Sequence, residues 1–334
     1  MADGAASVLD VRDLTCVFET RGGSVHAVNS VTFSLKSGEL LGVVGESGSG
    51  KSVTMMSLIG LVPSPPAQVT GTGVSFGGLN LLTASEDELR AIRGARIGFV
   101  FQDPMTSLNP VFTVGFQLME PLRKHMGMDK AQARVRAKEL LELVGIPDAE
   151  RRLKDYPHQF SGGMRQRVMI AMALACDPEV LIADEPTTAL DVTIQAQILE
   201  LMHELREKLG MAVIWITHDL GVVAGIADRV LVMYGGQIVE HAPVRELFKA
   251  PAHPYTRALL QTVPSVRSER EDRLLVIEGQ PPILHAHPTA CPFRDRCAYR
   301  FERCDRENPP RFDLENGHDA ACFYDFETGG PRSA

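Results

Sequence analysis

The sequence lacks a long apolar run, and it lacks the basic start of a secretory signal. The longest apolar stretch of the 334-residue chain is the nine residues 168–176, whereas a helix that crosses a bilayer needs about 20. The N-terminal segment carries acidic residues and has no basic region. We therefore expect a chain without a membrane span or leader that stays in the cytosol, where structural disulfides are rare.

The sequence also lacks an excess of basic charge. Lys and Arg total 34 against 42 Asp and Glu, which gives a net charge of −8, and there is no run of five basic residues. A nucleic-acid binder usually carries a basic stripe, so the charge balance argues against a nucleic-acid partner. At about 100–200 residues per domain, the length predicts two domains.

Apolar strand-like segments alternate with helix-like segments over residues 1–250. This alternation predicts an α/β fold: a phosphate-loop core with a mostly parallel sheet, an antiparallel N-terminal β subdomain over 8–36, and a helical insertion at about 103–176. Strands are predicted at residues 39–44, 96–101, 179–183, 212–217 and 229–234. Helices are predicted at residues 51–60, 129–144, 162–176, 193–209 and 253–260. The change to Pro, Arg and Asp after residue 250 predicts a small cysteine-rich second domain over 251–334.

A glycine-rich loop follows the first apolar strand and opens a helix. It reads Gly45, Glu46, Ser47, Gly48, Ser49, Gly50, Lys51 and Ser52. This is the GxxxxGK[ST] pattern in the context that it requires, so the loop is predicted to wrap the phosphates of a nucleotide. Lys51 is expected to reach the β- and γ-phosphates, and Ser52 to hold Mg²⁺.

Two carboxylates end another apolar strand. Asp184 fits the acid that supports Mg²⁺ in a phosphate-loop ATPase. Glu185 is expected to point the other way, because side chains alternate along a strand, and to act as the general base on the attacking water. A pair of acids at a strand end is weak evidence by itself, and it gains weight from its distance of 133 residues from Lys51.

A third segment, Ser161-Gly162-Gly163, opens a long apolar helix. Ser161 is a good N-cap, and the helix start could receive a phosphate. On the physics alone, a plain capped helix is the slightly favoured explanation of the segment.

Together these segments resemble the ATP-binding cassette family. Residues 160–164 are similar to its LSGGQ signature, with Phe160 and Met164 replacing Leu and Gln. The resemblance implies that Gln102 contacts Mg²⁺ and water, that Asp191 lies in the loop across a dimer interface, and that His218 senses the γ-phosphate. It also makes Phe18 a candidate for stacking on adenine, with an ordinary core position as the alternative.

Longer motifs narrow the resemblance to the ATPase subunits of bacterial dipeptide and oligopeptide importers. These motifs cover residues 101–110, 156–198 and 253–260. The resemblance implies ATP-driven dimer closure coupled to peptide translocation, at the cytoplasmic face of the inner membrane. Its implied partners are a second ATPase in a heterodimer, two integral membrane permeases and an external peptide-binding protein. The alternative is a soluble cassette ATPase that acts on nucleic acid or ribosomes and carries a metal-binding C-terminal domain.

Four cysteines lie within 32 residues near the C-terminus. They are Cys291, Cys297, Cys304 and Cys322. In a cytosolic chain this pattern predicts a four-thiolate metal site. The spacings exceed those of zinc ribbons, Cys291 precedes a proline as in ferredoxin-type ligation, and the importer resemblance also implies a [4Fe-4S] cluster. Zinc is the alternative metal, and free thiols without any metal are the alternative to a metal site. For a bound cluster, a structural role is favoured over a redox one.

The remaining cysteines and two histidines near the cluster are assigned lesser roles. Cys16 and Cys176 are predicted to be small core residues. His287 and His318 are expected on the surface, with ligation as the alternative.

Overall fold

The computed structural model describes residues 7–188, 190–262 and 277–332. Its contacts group the chain into two compact units. The phosphate-loop unit comprises residues 9–34, 40–83 and the chain from 217 onward, and the signature unit comprises residues 35–39, 84–216 and the chain before 9. Each unit contains part of the residues that are predicted to act on ATP.

An antiparallel sheet forms the N-terminal part of the phosphate-loop unit. The first elements are β1 (Ser7–Thr20), β2 (Gly23–Lys36), β3 (Leu40–Val44), α1 (Lys51–Leu58), β4 (Ala67–Thr70), β5 (Gly73–Phe76) and β6 (Leu79–Asn80). β1 pairs antiparallel with β4 and β5, β5 pairs antiparallel with β6, and β2 lies beside β1. Leu9 and Val11 of β1 are buried between more exposed neighbours, as expected for a strand with one face in the core.

The signature unit contains three parallel strands and most of the helices. Its elements are α2 (Glu86–Ile92), β7 (Ile97–Val100), α3 (Pro104–Ser107), α4 (Val114–His125), α5 (Lys130–Leu143), α6 (Ala149–Arg152), α7 (Gly162–Ala173), β8 (Val180–Asp184), α8 (Val192–Leu209) and β9 (Ala212–Thr217). β8 pairs parallel with both β7 and β9. Every residue of β8 and β9 is buried, which explains their continuous apolar sequences.

The phosphate-loop unit continues after β9. Its later elements are α9 (Leu220–Ile226), β10 (Arg229–Tyr234), β11 (Gln237–Pro243), α10 (Val244–Lys249), α11 (Pro254–Thr262), α12 (Glu302–Arg306), β12 (Phe312–Asp313), β13 (Asp319–Ala320), β14 (Tyr324–Asp325) and β15 (Gly330–Pro331). β10 is parallel to β3 and antiparallel to β11. β13 pairs antiparallel with β11, so residues beyond 251 extend the sheet that contains β3.

A buried hydrogen-bond network also joins the C-terminal residues to β11. Glu240 is fully buried, and its carboxylate accepts hydrogen bonds from the backbone of Ala252 at 2.6 Å and His253 at 2.9 Å. His318 Nε2 lies 2.8 Å from Glu240 Oε1. The expectation that His318 lies on the surface is therefore wrong, because the buried carboxylate takes it as a partner. His287 is exposed, as expected.

The predicted strands and helices are all present, with ends that differ by at most three residues. Helices α3 to α7 lie between β7 and β8, where the helical insertion is predicted. Within the described ranges, no helix is both long and apolar enough to cross a membrane. The domain limits 1–250 and 251–334 stay a prediction.

Candidate functional site

The phosphate loop encloses its own lysine. Lys51, the first residue of α1, is 4% exposed. Its ammonium donates to the carbonyl oxygens of Gly45 at 2.7 Å and Glu46 at 3.0 Å. Gly50 caps the helix with a φ of +98°, and a Cβ there would lie 2.5 Å from the carbonyl oxygen of Ala27. The loop therefore holds a positive charge against its own backbone at a helix start, where anions are favoured.

The middle of the loop is supported from one side and exposed at its tip. Ser47 and Gly48 are exposed, whereas Ser49 is 1% exposed. The carbonyl oxygen of Ser49 accepts a hydrogen bond from the backbone of Gly236 at 3.1 Å. Among the described residues, the buried Ser49 hydroxyl has no hydrogen-bond partner. Ser52 lies half-buried in the first turn of α1.

Two other residues of the phosphate-loop unit that are predicted to contact the nucleotide, Phe18 and His218, lie near strand ends. Phe18 is half-buried near the end of β1, opposite Ala67 of β4. His218 is exposed and follows β9 directly. The next residue, Asp219, caps α9 by accepting a hydrogen bond from the backbone of Gly221 at 2.8 Å. The roles of Phe18 at adenine and of His218 at the γ-phosphate stay predictions.

The two acidic residues at the end of β8, Asp184 and Glu185, have different backbone conformations. Asp184 is the last residue of the strand and is 5% exposed. Glu185 lies outside the strand with a φ of +45°, so a left-handed turn, and not strand alternation, separates the two carboxylates. Glu185 Oε2 accepts hydrogen bonds from Gln102 Nε2 at 3.2 Å and from the Thr188 hydroxyl at 2.9 Å. The structure thus brings Gln102 and Glu185 together.

The signature segment begins α7, as predicted. The Ser161 hydroxyl accepts a hydrogen bond from the backbone of Met164 at 3.3 Å, and Ser161 and Gly162 are exposed. A Cβ on Gly163 would lie 2.8 Å from Ile194 Cγ2, so close packing on α8 requires the second glycine. Asp191 caps α8 by accepting a hydrogen bond from Ile194 N at 2.9 Å. The neighbouring Ala189 lies outside the described residues.

The four C-terminal cysteines line one cavity, together with His253 and Phe293. All four are free thiols. Burial, with a smaller contribution from neighbouring thiols, raises the pKa of Cys291 and of Cys322 to about 12. Within the described ranges, no group of three or more His, Cys, Asp or Glu residues is arranged to hold a single metal ion. The four thiols thus line a common space, and the predicted metal site stays a prediction.

The two other cysteines differ in burial. Cys16 is fully buried, as predicted for a small core residue. Cys176 is half-buried, and its thiol donates to the carbonyl oxygen of Pro121 at 3.7 Å.

Three residues that were given no role from the sequence link this cavity to the phosphate loop: His253, Tyr255 and Arg296. The backbone of Tyr255 donates to His253 Nδ1 at 3.0 Å, and burial lowers the pKa of His253 to about 3. The Tyr255 hydroxyl accepts a hydrogen bond from Glu46 N at 2.8 Å. Arg296 forms two hydrogen bonds with the Glu46 carboxylate. The His-Pro-Tyr run at 253–255 entered the predictions only as part of a family motif.

These features define an ATPase of the ATP-binding cassette class. A GxxxxGKS loop joins a buried strand to a helix, an acid pair ends a second buried strand, and a serine caps an SGG helix start. Residues 28–188 match the ABC transporter family. Residues 239–304 match the family described as the oligopeptide/dipeptide transporter C-terminal region.

Known proteins narrow the class further. The oligopeptide transport ATP-binding protein OppD of Bacillus subtilis is 53% identical over 93% of this chain and 87% of its own length. The dipeptide transport ATP-binding protein DppD of the same organism is 52% identical over 95% of this chain and 94% of its own. A dimeric ATP-binding cassette solved in a post-hydrolysis state with ADP and phosphate shares the fold, with a TM-score of 0.64, 30% identity, and coverage of 71% of this chain and 99% of the other. The chain belongs to the family of peptide ABC transporter ATP-binding proteins.

Proposed function

We propose that this chain hydrolyses ATP to drive the import of dipeptides or oligopeptides through a membrane transporter. The observation that carries the proposal is the combination of a phosphate loop around Lys51 with a C-terminal region of the peptide-transporter type. Two relatives that share 53% and 52% of aligned residues with this chain are named as oligopeptide and dipeptide transport ATP-binding proteins. The alternative, a cassette ATPase acting on nucleic acid or ribosomes, has no such support.

The nucleotide is proposed to bind through the residues of the cassette motifs. Lys51 meets the β- and γ-phosphates, and the N–H groups of residues 45–52 surround them. Mg²⁺ neutralises part of the phosphate charge when it is bound. Hydroxyl, amide and carboxylate oxygens suit this cation, so Ser52, Gln102 and Asp184 are its proposed ligands or supports. Phe18 is proposed to stack on adenine, because an aromatic face can pack on a base.

Glu185 is proposed to be the general base. Its carboxylate accepts hydrogen bonds from Gln102 and Thr188, which fix the orientation of one oxygen. An ionised carboxylate that is held in place can accept the proton of an attacking water. His218, which follows β9, is proposed to contact the γ-phosphate. Hydrolysis would then remove this contact at the end of β9.

The signature helix is proposed to act on the nucleotide of a second subunit. The start of α7 is exposed at Ser161 and Gly162, and its helix dipole favours an anion. In a dimer, each such helix start would cap the ATP of its partner, with Asp191 in the loop between the subunits. ATP then favours the closed dimer, and hydrolysis removes that bias.

We propose that the dimer forms with a second, related ATPase, beneath two permeases at the cytoplasmic face of the inner membrane. An external binding protein would deliver the peptide. This arrangement couples dimer closure to a conformational change of the permeases.

The test is peptide-dependent hydrolysis in the whole transporter. The chain is co-expressed with its second ATPase and both permeases and reconstituted in vesicles. Peptide-loaded binding protein should stimulate ATP hydrolysis. Glu185→Gln should keep ATP binding and lower turnover by about 100-fold or more, the lower range for loss of a general base.

The exposed residue Glu200 of α8 supplies the matched control for this test. Glu200→Gln makes the same chemical change and should keep wild-type turnover. Full turnover in Glu185→Gln would remove it as the base. An ATPase rate that is indifferent to peptide would contradict the transport proposal.

We further propose that the four cysteines hold a [4Fe-4S] cluster with a structural role. Four thiols that line one cavity fit thiolate ligation. The spacings between the cysteines, longer than those of zinc ribbons, favour the cluster over zinc. A bound metal also overcomes the raised thiol pKa values by stabilising the thiolates.

Metal analysis of anaerobically purified protein tests this proposal. About four irons and four sulfides per chain are expected. Cys304→Ser should lose the iron and destabilise the C-terminal region. The half-buried Cys176, outside the cavity, supplies the control, and Cys176→Ser should keep a full complement. One zinc without sulfide would replace the cluster by the zinc alternative, and wild-type iron in Cys304→Ser would contradict the site.

A further inference from the structure

Glu46 of the phosphate loop is held by residues that lie more than 200 positions away. Its backbone N–H donates to the Tyr255 hydroxyl at 2.8 Å. Its carboxylate accepts two parallel hydrogen bonds from the Arg296 guanidinium, at 2.6 Å and 3.0 Å. The C-terminal region thus contacts both the backbone and the side chain of one residue in the loop.

Arg296 is fixed from all sides. Its side chain is 5% exposed. Besides Glu46, it donates to the carbonyl oxygens of Glu278 at 2.8 Å and Ile277 at 3.1 Å, and to the Tyr234 hydroxyl at 3.3 Å. A planar guanidinium with this many bonds cannot rotate freely, so it is a rigid anchor for a carboxylate.

The segment that carries Arg296 supports the loop at a second point. The segment is a tight turn, in which Arg296 N donates to the carbonyl oxygen of Phe293 at 3.0 Å. Pro292 packs on Gly235, where an added Cβ would lie 3.0 Å from Pro292 Cβ. The next residue, Gly236, donates its N–H to the carbonyl oxygen of Ser49 in the phosphate loop. Arg296 therefore contacts the loop directly at Glu46, whereas Pro292 supports it indirectly through Gly235 and Gly236.

The charge of Glu46 shows why an anchor matters here. A carboxylate in a loop that receives phosphates repels them, and the repulsion is strong where burial reduces screening. A bidentate guanidinium neutralises the carboxylate and fixes its position. We infer that Arg296 is a positioning residue for nucleotide binding, through which the C-terminal region sets the affinity of the phosphate loop for ATP.

This inference rests on ATP binding at the loop, and it is tested on the purified full chain without permeases. The affinity for MgATP is measured by calorimetric titration. Arg296→Ala should weaken binding by about tenfold or more, because it leaves an unpaired carboxylate in the loop. Glu46→Gln removes the charge that Arg296 neutralises and should weaken binding less than Arg296→Ala does. The double variant should return to the affinity of Glu46→Gln, because its loop carries no charge to neutralise.

A matched arginine in the same region supplies the control. Arg306 forms an exposed pair with Glu302 on α12, and Arg306→Ala should bind ATP like the wild type. Arg296→Lys keeps the charge without the bidentate geometry and should recover part of the affinity.

Hydrogen exchange of the amides of residues 45–52 provides a second readout. It should be faster in Arg296→Ala than in the wild type. Wild-type affinity in Arg296→Ala would overturn the inference. So would a double variant as weak as Arg296→Ala, since the arginine would then act through the fold and not through Glu46. A wild-type chain that binds no ATP would instead contradict the proposed function.

Discussion

The phosphate loop and the signature helix are the two regions predicted to meet ATP, and they differ in how far this chain completes them. In the loop, the Lys51 ammonium is bonded to two loop carbonyl groups, and Glu46 is held by Tyr255 and Arg296. At the start of α7, Ser161 is exposed and its hydroxyl caps its own helix.

This difference separates two properties of the protein. The residues that set affinity for the nucleotide are supported by the chain itself, so a single subunit should bind ATP. The residues that sense a second nucleotide are exposed at a helix start, so they should act only in a dimer. The following changes test each region alone.

Lys51→Ala should have the largest effect on the first region. It removes a buried ammonium that is predicted to pair with the β- and γ-phosphates, and charge-assisted hydrogen bonds of this kind contribute about 1.5–3 kcal/mol each. We expect ATP affinity to fall by about 10- to 100-fold in a calorimetric titration of the isolated chain. The exposed Lys249 at the end of α10 supplies the control, and Lys249→Ala should bind normally. Unchanged affinity in Lys51→Ala would contradict the role of the loop.

Ser161→Ala should have a smaller effect, confined to the second region. Loss of the cap should lower the free energy of unfolding by about 1 kcal/mol, measured by urea denaturation, and leave the ATP affinity of the isolated chain unchanged. It should also weaken ATP-dependent association with the second ATPase. Thr113→Ala removes a comparable cap, since the Thr113 hydroxyl accepts a hydrogen bond from Phe116 N at 3.2 Å. If both variants associate equally well, Ser161 has only a structural role.

The sequence was sufficient for elements whose signal is local. The phosphate loop and β8 are each defined by neighbouring residues, and both were predicted to within a residue. Helix α4 was not predicted separately, because it contains Pro121, a residue that normally ends helices. The left-handed backbone of Glu185 was also missed, since no local pattern marks a non-glycine residue for positive φ.

The contacts of the C-terminal region could not be predicted, because they join distant positions. Arg296 and Glu46 are 250 residues apart. The residues next to each of them in the sequence form no pattern that would predict the ion pair. His318 appeared to be an ordinary surface histidine until the fold brought it to the buried Glu240. Charged residues are buried when they are paired, and pairing across the chain becomes visible only in three dimensions.

The most direct test of the difference between the phosphate loop and the signature helix is the molar mass of the Glu185→Gln chain in a mixture with the second ATPase of its transporter. This mass is measured by light scattering. This variant should bind ATP without turning it over. We expect separate subunits without nucleotide and a dimer with MgATP. In a chain that carries Lys51→Ala as well as Glu185→Gln, we expect no dimer. A mass that is the same with and without MgATP would contradict the claim that ATP held by one region is capped by the exposed helix start of the other subunit.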